Sequence, residues 1–147
     1  MKKLILFILI ILNTGVIFSD ILPEWELREI KDAVQRNVPE KDLHRDLTIL
    51  LIAIRKPENG SKGKEFGILN EKANTYSKQA GWCACTVYKN WIRYQQGQFN
   101  IPFLVWFGNR YCPVNADNDP IGLNENWIKN VTYYIERQYN EKNNNSN

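Results

Sequence analysis

From Pro39 onward, apolar residues recur at helical spacing. Leu43, Leu47, Leu50, Leu51 and Ile54 are separated by four, three, one and three positions, which sets them on one stripe of a core helix. Pro39 suits a first turn, and Glu40 and Asp42 there favour the positive end of the helix dipole. Pro57 predicts that this helix ends at Lys56, because proline disfavours the α region for the residue before it. The longest helical pattern covers 76–95, where Tyr76, Ala80, Cys83, Ala84, Val87, Tyr88, Trp91 and Tyr94 keep a three-four rhythm. Its aromatics exceed one seam, which predicts burial on more than one side, with Trp82 and Trp91 packed in the core.

Three shorter patterns complete the helical reading. Over 20–37, Trp25, Leu27, Ile30 and Val34 give a partial apolar face, opened by Pro23. The strongly apolar piece 99–107 has Pro102 near its start and Gly108 as its expected C-cap. The last helix, N-capped by Asn124, carries Trp127, Val131, Tyr134, Ile135 and Gln138 on one side. Two loops separate these helices. One is the Gly-rich stretch 60–75, with Phe66 and Ile68 turning back to the core; the other is the long polar stretch 109–124, of a length often found at functional sites. The low-complexity run from Asn140 predicts a disordered tail over 140–147.

A chain of 147 residues with 44% hydrophobic content supports one mainly α domain, over 20–139. Residues 1–19 stand apart: a basic start at Lys2 and Lys3, an unbroken apolar run from Leu4 to Leu12, and a weakly polar end near Ser19. This is the pattern of a secretory signal peptide, and its charge-free part is shorter than the ~20 apolar residues that span a bilayer. The sequence therefore predicts an exported protein with no membrane span after cleavage, in the periplasm, cell envelope or medium. Loss of Lys2 and Lys3 takes the formal charge from +3 to +1, which leaves no electrostatic footprint for nucleic acid. A monomer is expected.

Cys83, Cys85 and Cys112 leave two alternatives open. Export permits a bridge from Cys112 to one of the others, while all three also suit the role of small buried hydrophobes. His44 is the single imidazole and falls at the boundary of the core stripe, and no Cys-x-x-Cys spacing exists. Zinc, Ser-nucleophile and Cys-nucleophile chemistry thus lack partners, and no cofactor is expected.

The chemistry centres on Glu58, where an apolar helix meets a loop holding Gly60, Gly63 and Gly67. A carboxylate there is held by a rigid element and still faces a cleft, although Asn59-Gly60 is equally a strong signal for a plain exposed turn. The segment Glu58, Gly60, Gly63, Phe66, Gly67, Ile68 resembles the end of the catalytic helix in bacterial and phage glucosaminidases of the lysozyme-like superfamily. The resemblance extends over roughly residues 40–138 and is sharp only in this block. Many members have Ser after the acid and a small or hydrophobic residue before it, where this chain has Asn59 and Pro57.

The resemblance implies a single lysozyme-like helical domain with a Gly-rich active-site loop after the catalytic helix. It also implies cleavage of the glycan backbone of peptidoglycan, with Glu58 as general acid. Glycoside cleavage needs such a proton donor and a group that tolerates the charge developing on the sugar. For the second role the candidates are Tyr111, placed as the family's tyrosine is in chain order, then Glu65, Asp117 and Asp119, with Glu65 expected in solvent and Asp119 in a turn. Phe66, Gly67, Trp106, Asn109 and Asn126 are the expected sugar-binding residues. A lytic transglycosylase and a non-catalytic glycan-binding or envelope protein are the alternatives.

Overall fold

A computed structural model describes residues 22–144 except 59, 61, 118, 120 and 121; of 140–144 only the backbone is described. The expected signal peptide lies outside the described residues. Five α-helices follow one another: α1 (Glu24–Asn37), α2 (His44–Glu58), α3 (Tyr76–Gln96), α4 (Phe103–Tyr111) and α5 (Trp127–Asn144). Short 3-10 turns at Lys41–Leu43 and Leu123–Asn126 lead into α2 and α5, and no strand occurs among the described residues.

α2 is the axis of the fold. Every residue from Leu47 to Ile54 is buried, so the helix is enclosed on all sides rather than along the single predicted stripe. It packs against α5, α1 and α3, while α1 and α3 form the other extensive helix pair. The sequence predicts burial of α3 on more than one side; instead its buried residues keep to one stripe, Trp82 is 41% exposed, and only Trp91 of its two tryptophans enters the core. The aliphatic content explains the difference. An all-round run of Leu, Ile and Ala tolerates full enclosure, whereas the ring and polar edges of α3 need water on one side. Trp25 is likewise displaced from the predicted apolar face of α1, 54% exposed and edge-on to Tyr76 at 4.9 Å between ring centres.

Polar side chains lock the helices together. Glu26 of α1 accepts from Arg55 Nε of α2 (2.9 Å) and from the Tyr76 hydroxyl of α3 (2.9 Å), and the Arg55 guanidinium lies over the Tyr76 ring. Gln138 of α5, fully buried, donates to the Ile49 carbonyl of α2 at 3.1 Å. His44 sits at the boundary, as its position in the pattern predicts, with Nε2 2.7 Å from the Val38 carbonyl.

Several helix ends differ from the sequence reading. α2 continues through Pro57 to Glu58. In a last turn the ring forfeits one backbone bond only, and Arg55 and Glu58 on either side are both held by other helices. Gly108 is interior to α4, not its C-cap, and is buried where a Cβ would come within 2.6 Å of Ile128 Cγ1. The missing side chain leaves room for Ile128 and Trp127 of α5. The polar loop consequently begins at Cys112, with Asn109, Arg110 and Tyr111 helical. α5 extends to Asn144, so the first part of the expected disordered tail is helix.

Candidate active site

Three chain segments converge on Glu58. The first is the end of α2, which carries it. The second is the start of α5: the Trp127 indole Nε1 donates to Glu58 Oε1 at 2.8 Å. Trp127 owes its place to the turn before it. Asp119 accepts from the backbone N–H groups of Leu123 and Asn124, both at 2.8 Å, and Gly122 takes the left-handed conformation (φ 72°) that brings the chain round. Asp119 is therefore the capping residue here. Asn124, the predicted cap, instead accepts from the Cys112 thiol at 2.8 Å and donates to the Pro113 carbonyl.

The third segment is the Gly-rich loop. Gly67, at φ 69°, packs directly on the carboxylate: a Cβ at this position would collide with Glu58 Oε2 and lie 3.0 Å from Cδ. Glycine thus lets the backbone approach the acid at the oxygen that Trp127 does not hold. The loop is pinned by Gln79, fully buried on α3. Its Oε1 accepts from Phe66 N and Ile68 N at 3.2 Å each, and its Nε2 donates to the carbonyls of Gly63, Ile68 and Ala73 at 2.8, 2.8 and 2.6 Å. One side chain thereby satisfies backbone groups at both ends of the loop.

Tyr111 completes the arrangement. Its hydroxyl donates to the Phe66 carbonyl at 2.6 Å, one residue before Gly67, and its ring lies 5.5 Å from that of Trp127. The Cys83 sulfur stands 3.7 Å from the same hydroxyl. Tyr111 therefore has a structural bond in place and shapes the loop that faces Glu58. Burial raises its phenol well above the ordinary value, as do the nearby Cys83 and Glu58.

The electrostatics follow from this packing. Burial raises the Glu58 carboxyl above its ordinary value, and the Trp127 N–H partly offsets the rise by favouring the anion. Cys83 and Cys112, both close enough to feel the Glu58 charge, are pushed up to about 12, mainly by burial. All three cysteines are unbridged. No group of three or more His, Cys, Asp or Glu among the described residues is placed to hold a metal ion.

The structure thus brings together Glu58, Gly67 and Tyr111 from the predicted set. Phe66 is fully buried, so its ring belongs to the core and offers no face to a sugar; its backbone is what shapes the site. Trp106 lies elsewhere on α4. Phe107 and Tyr111 point along the face toward Trp127, while Trp106 and Arg110 occupy the next face, with the guanidinium 5.1 Å from the Trp106 ring centre. Trp106 packs with Tyr94, Phe99 and Phe103, and Asn109 and Asn126 are exposed. Glu65, expected in solvent, is buried, with Oε1 accepting from Gly63 N at 2.9 Å. The tight turn of the loop folds its carboxylate inward. Asp117 is exposed.

Two residues at the site escape a sequence reading. Gln79 leaves a trace, as a polar residue three positions from Tyr76 within the apolar face of α3. Trp127 is legible only as a core aromatic, since nothing local announces a partner sixty-nine positions earlier. A scan against family models finds no match to this chain, and neither the curated proteins nor the solved structures searched contain one.

Proposed function

We propose that this protein is an exported glycoside hydrolase of lysozyme-like type that cleaves the glycan backbone of peptidoglycan, with N-acetylglucosaminidase-type specificity. Glu58 is its general acid. The observation that carries this reading is the carboxyl of Glu58, half-buried at a helix end, clamped between an indole N–H and a glycine backbone and raised above its ordinary value by burial. A carboxyl in such surroundings keeps its proton to higher pH and can hand it to a leaving sugar oxygen. The resemblance of the Glu58–Ile68 block to glucosaminidases supplies the substrate class.

In this scheme Glu58 protonates the glycosidic oxygen, and the bond to that oxygen breaks. Water then adds to the anomeric carbon and returns a proton to Glu58. Trp127 orients the carboxyl. Tyr111 and Gln79 hold the loop against it and act as positioning residues.

Glu58→Gln tests the reading on purified peptidoglycan. The amide keeps the shape and an oxygen for Trp127 but has no proton to give, so cleavage should fall about 10²–10⁴-fold while wall binding persists. Undiminished cleavage by the variant would remove Glu58 as the acid. Mass spectrometry of wild-type products then identifies the chemistry: a reducing sugar end means hydrolysis, an anhydro end a transglycosylase.

A further inference from the structure

A concavity is formed by the Gly-rich loop itself, over residues 62–74. Its volume is about 410 Å³, in the range of small-ligand pockets, and Lys62, Lys64, Leu69, Asn70, Glu71 and Asn74 are among the residues that line it. Its floor is firm, because Gly63, Ile68 and Ala73, which also line it, are the three residues whose carbonyls Gln79 holds. The groove is also tied to the acid: Ile68 follows Gly67, against which the Glu58 carboxylate rests.

Its chemistry is that of a receptor for anions and carbonyl groups. Among its lining residues two lysines, Lys62 and Lys64, stand against a single acid, Glu71. The side-chain oxygens of Asn70 and Asn74 already accept from Lys72 N and Lys78 Nζ, so what these amides offer a ligand is chiefly N–H. Leu69, 66% exposed, adds an apolar edge. A neutral sugar would leave the two lysines unanswered. A short peptide with free carboxylates would meet them and spread its carbonyls over the amides.

We propose that this groove binds the carboxylate-bearing peptides attached to the glycan strand, so that the enzyme selects peptide-substituted peptidoglycan over bare glycan. The proposal rests on the hydrolase reading for its substrate, and on the groove's own residues for the contact.

Titration calorimetry with the Glu58→Gln protein provides the test. The probes are soluble peptidoglycan oligomers carrying their peptides and the same oligomers stripped of peptides by an amidase. The peptide-bearing probe should bind about three- to tenfold more tightly, as expected for two partly exposed ion pairs, and 0.5 M NaCl should erase most of the difference. Lys62→Gln/Lys64→Gln should abolish the preference and leave the affinity for stripped glycan unchanged; both side chains are exposed, and an unchanged Tm verifies the fold. Equal affinity for the two probes overturns the proposal, as does a lysine variant that weakens both alike, or no binding of either. Wild-type cleavage of the same probes separates the two claims. A protein that prefers the peptide-bearing probe through its lysines yet cuts neither retains the groove and loses the hydrolase.

Discussion

Replacing Gly67 with alanine tests the contact on which the site's geometry depends. Two costs are separable. At φ 69° any Cβ meets the following carbonyl, a strain of about 1–2 kcal/mol that is common to every left-handed position. The new methyl also collides with Glu58 Oε2. That carboxylate cannot simply step aside, because its other oxygen accepts from Trp127. Swinging away forfeits a hydrogen bond to a charged group, about 1.5–3 kcal/mol, reduced here toward about 1 because Glu58 is only partly buried and water can replace the donor. Gly67→Ala should therefore cost about 2–3 kcal/mol. Gly122→Ala is the control: its φ is 72° and nothing lies within 4 Å of a new Cβ, so it should cost about 1 kcal/mol of strain alone. Urea denaturation measures both, and each kcal/mol should move Tm by roughly 3–6 °C in a domain of this size. In a Glu58→Ala background the penalty of Gly67→Ala should drop to that of Gly122→Ala, a coupling of about 1 kcal/mol. Equal penalties in the two backgrounds would mean that the carboxylate does not rest on the glycine, and the clamp described above would be wrong.

Further predictions concern the same cluster. Trp127→Phe keeps the ring but removes the N–H that favours the anion, so the Glu58 carboxyl should titrate at higher pH, as carbon-detected NMR would reveal; a downward shift would contradict the assigned hydrogen bond. Because folding raises the pKa of Glu58, its protonated form favours the native state. That stability is complete below the unfolded-state value and is lost as pH rises through the folded one. Urea midpoints should fall across this window, and Glu58→Gln should flatten the slope, leaving the decline of the same sign due to Asp46, which burial also raises. Cleavage should also decline as pH rises through the Glu58 window, because the general acid loses its proton there. Gln79→Leu strands several backbone groups of the loop and should cost roughly 3 kcal/mol or more, with hydrogen exchange accelerating at Phe66 and Ile68. Gly108→Ala forces Ile128 aside and crowds the Trp127 ring at 3.1 Å, and should cost about 1–3 kcal/mol in urea denaturation.

The helices were legible in the sequence because apolar spacing is a local property. Leu47, Leu50, Leu51 and Ile54 announce α2, and Tyr76 through Trp91 announce α3, without reference to anything distant. Ends were less legible, since they depend on what the next helix offers. Pro57 stays helical with the Glu58 side chain after it anchored to α5, and Gly108 lies inside α4 where a second helix needs room. At the site, Glu58 stood out by its place at a helix–loop junction and Tyr111 by its order in the chain. Trp106 and Asn109 were grouped with Tyr111 by proximity in sequence, but a helix turns about 100° per residue and sends them to other faces. Glu65 and Gln79 show the converse. Polar residues in loop or helix read as solvated, and only long-range packing reveals that they are buried to serve the backbone.

The buried trio of Glu26, Arg55 and Tyr76 bears on where this protein can be cut. A fragment starting near residue 40 would strip Glu26 from Arg55 and Tyr76 and take Leu27, Ile30, Ala33 and Val34 out of the core, a loss of several kcal/mol set against a total stability that is seldom more than about 15. Arg55 is also three residues from the proposed proton donor, so the damage would reach the site directly. The first helix is thus an inseparable part of the folding unit, and the smallest portion able to stand alone must reach back past Glu26.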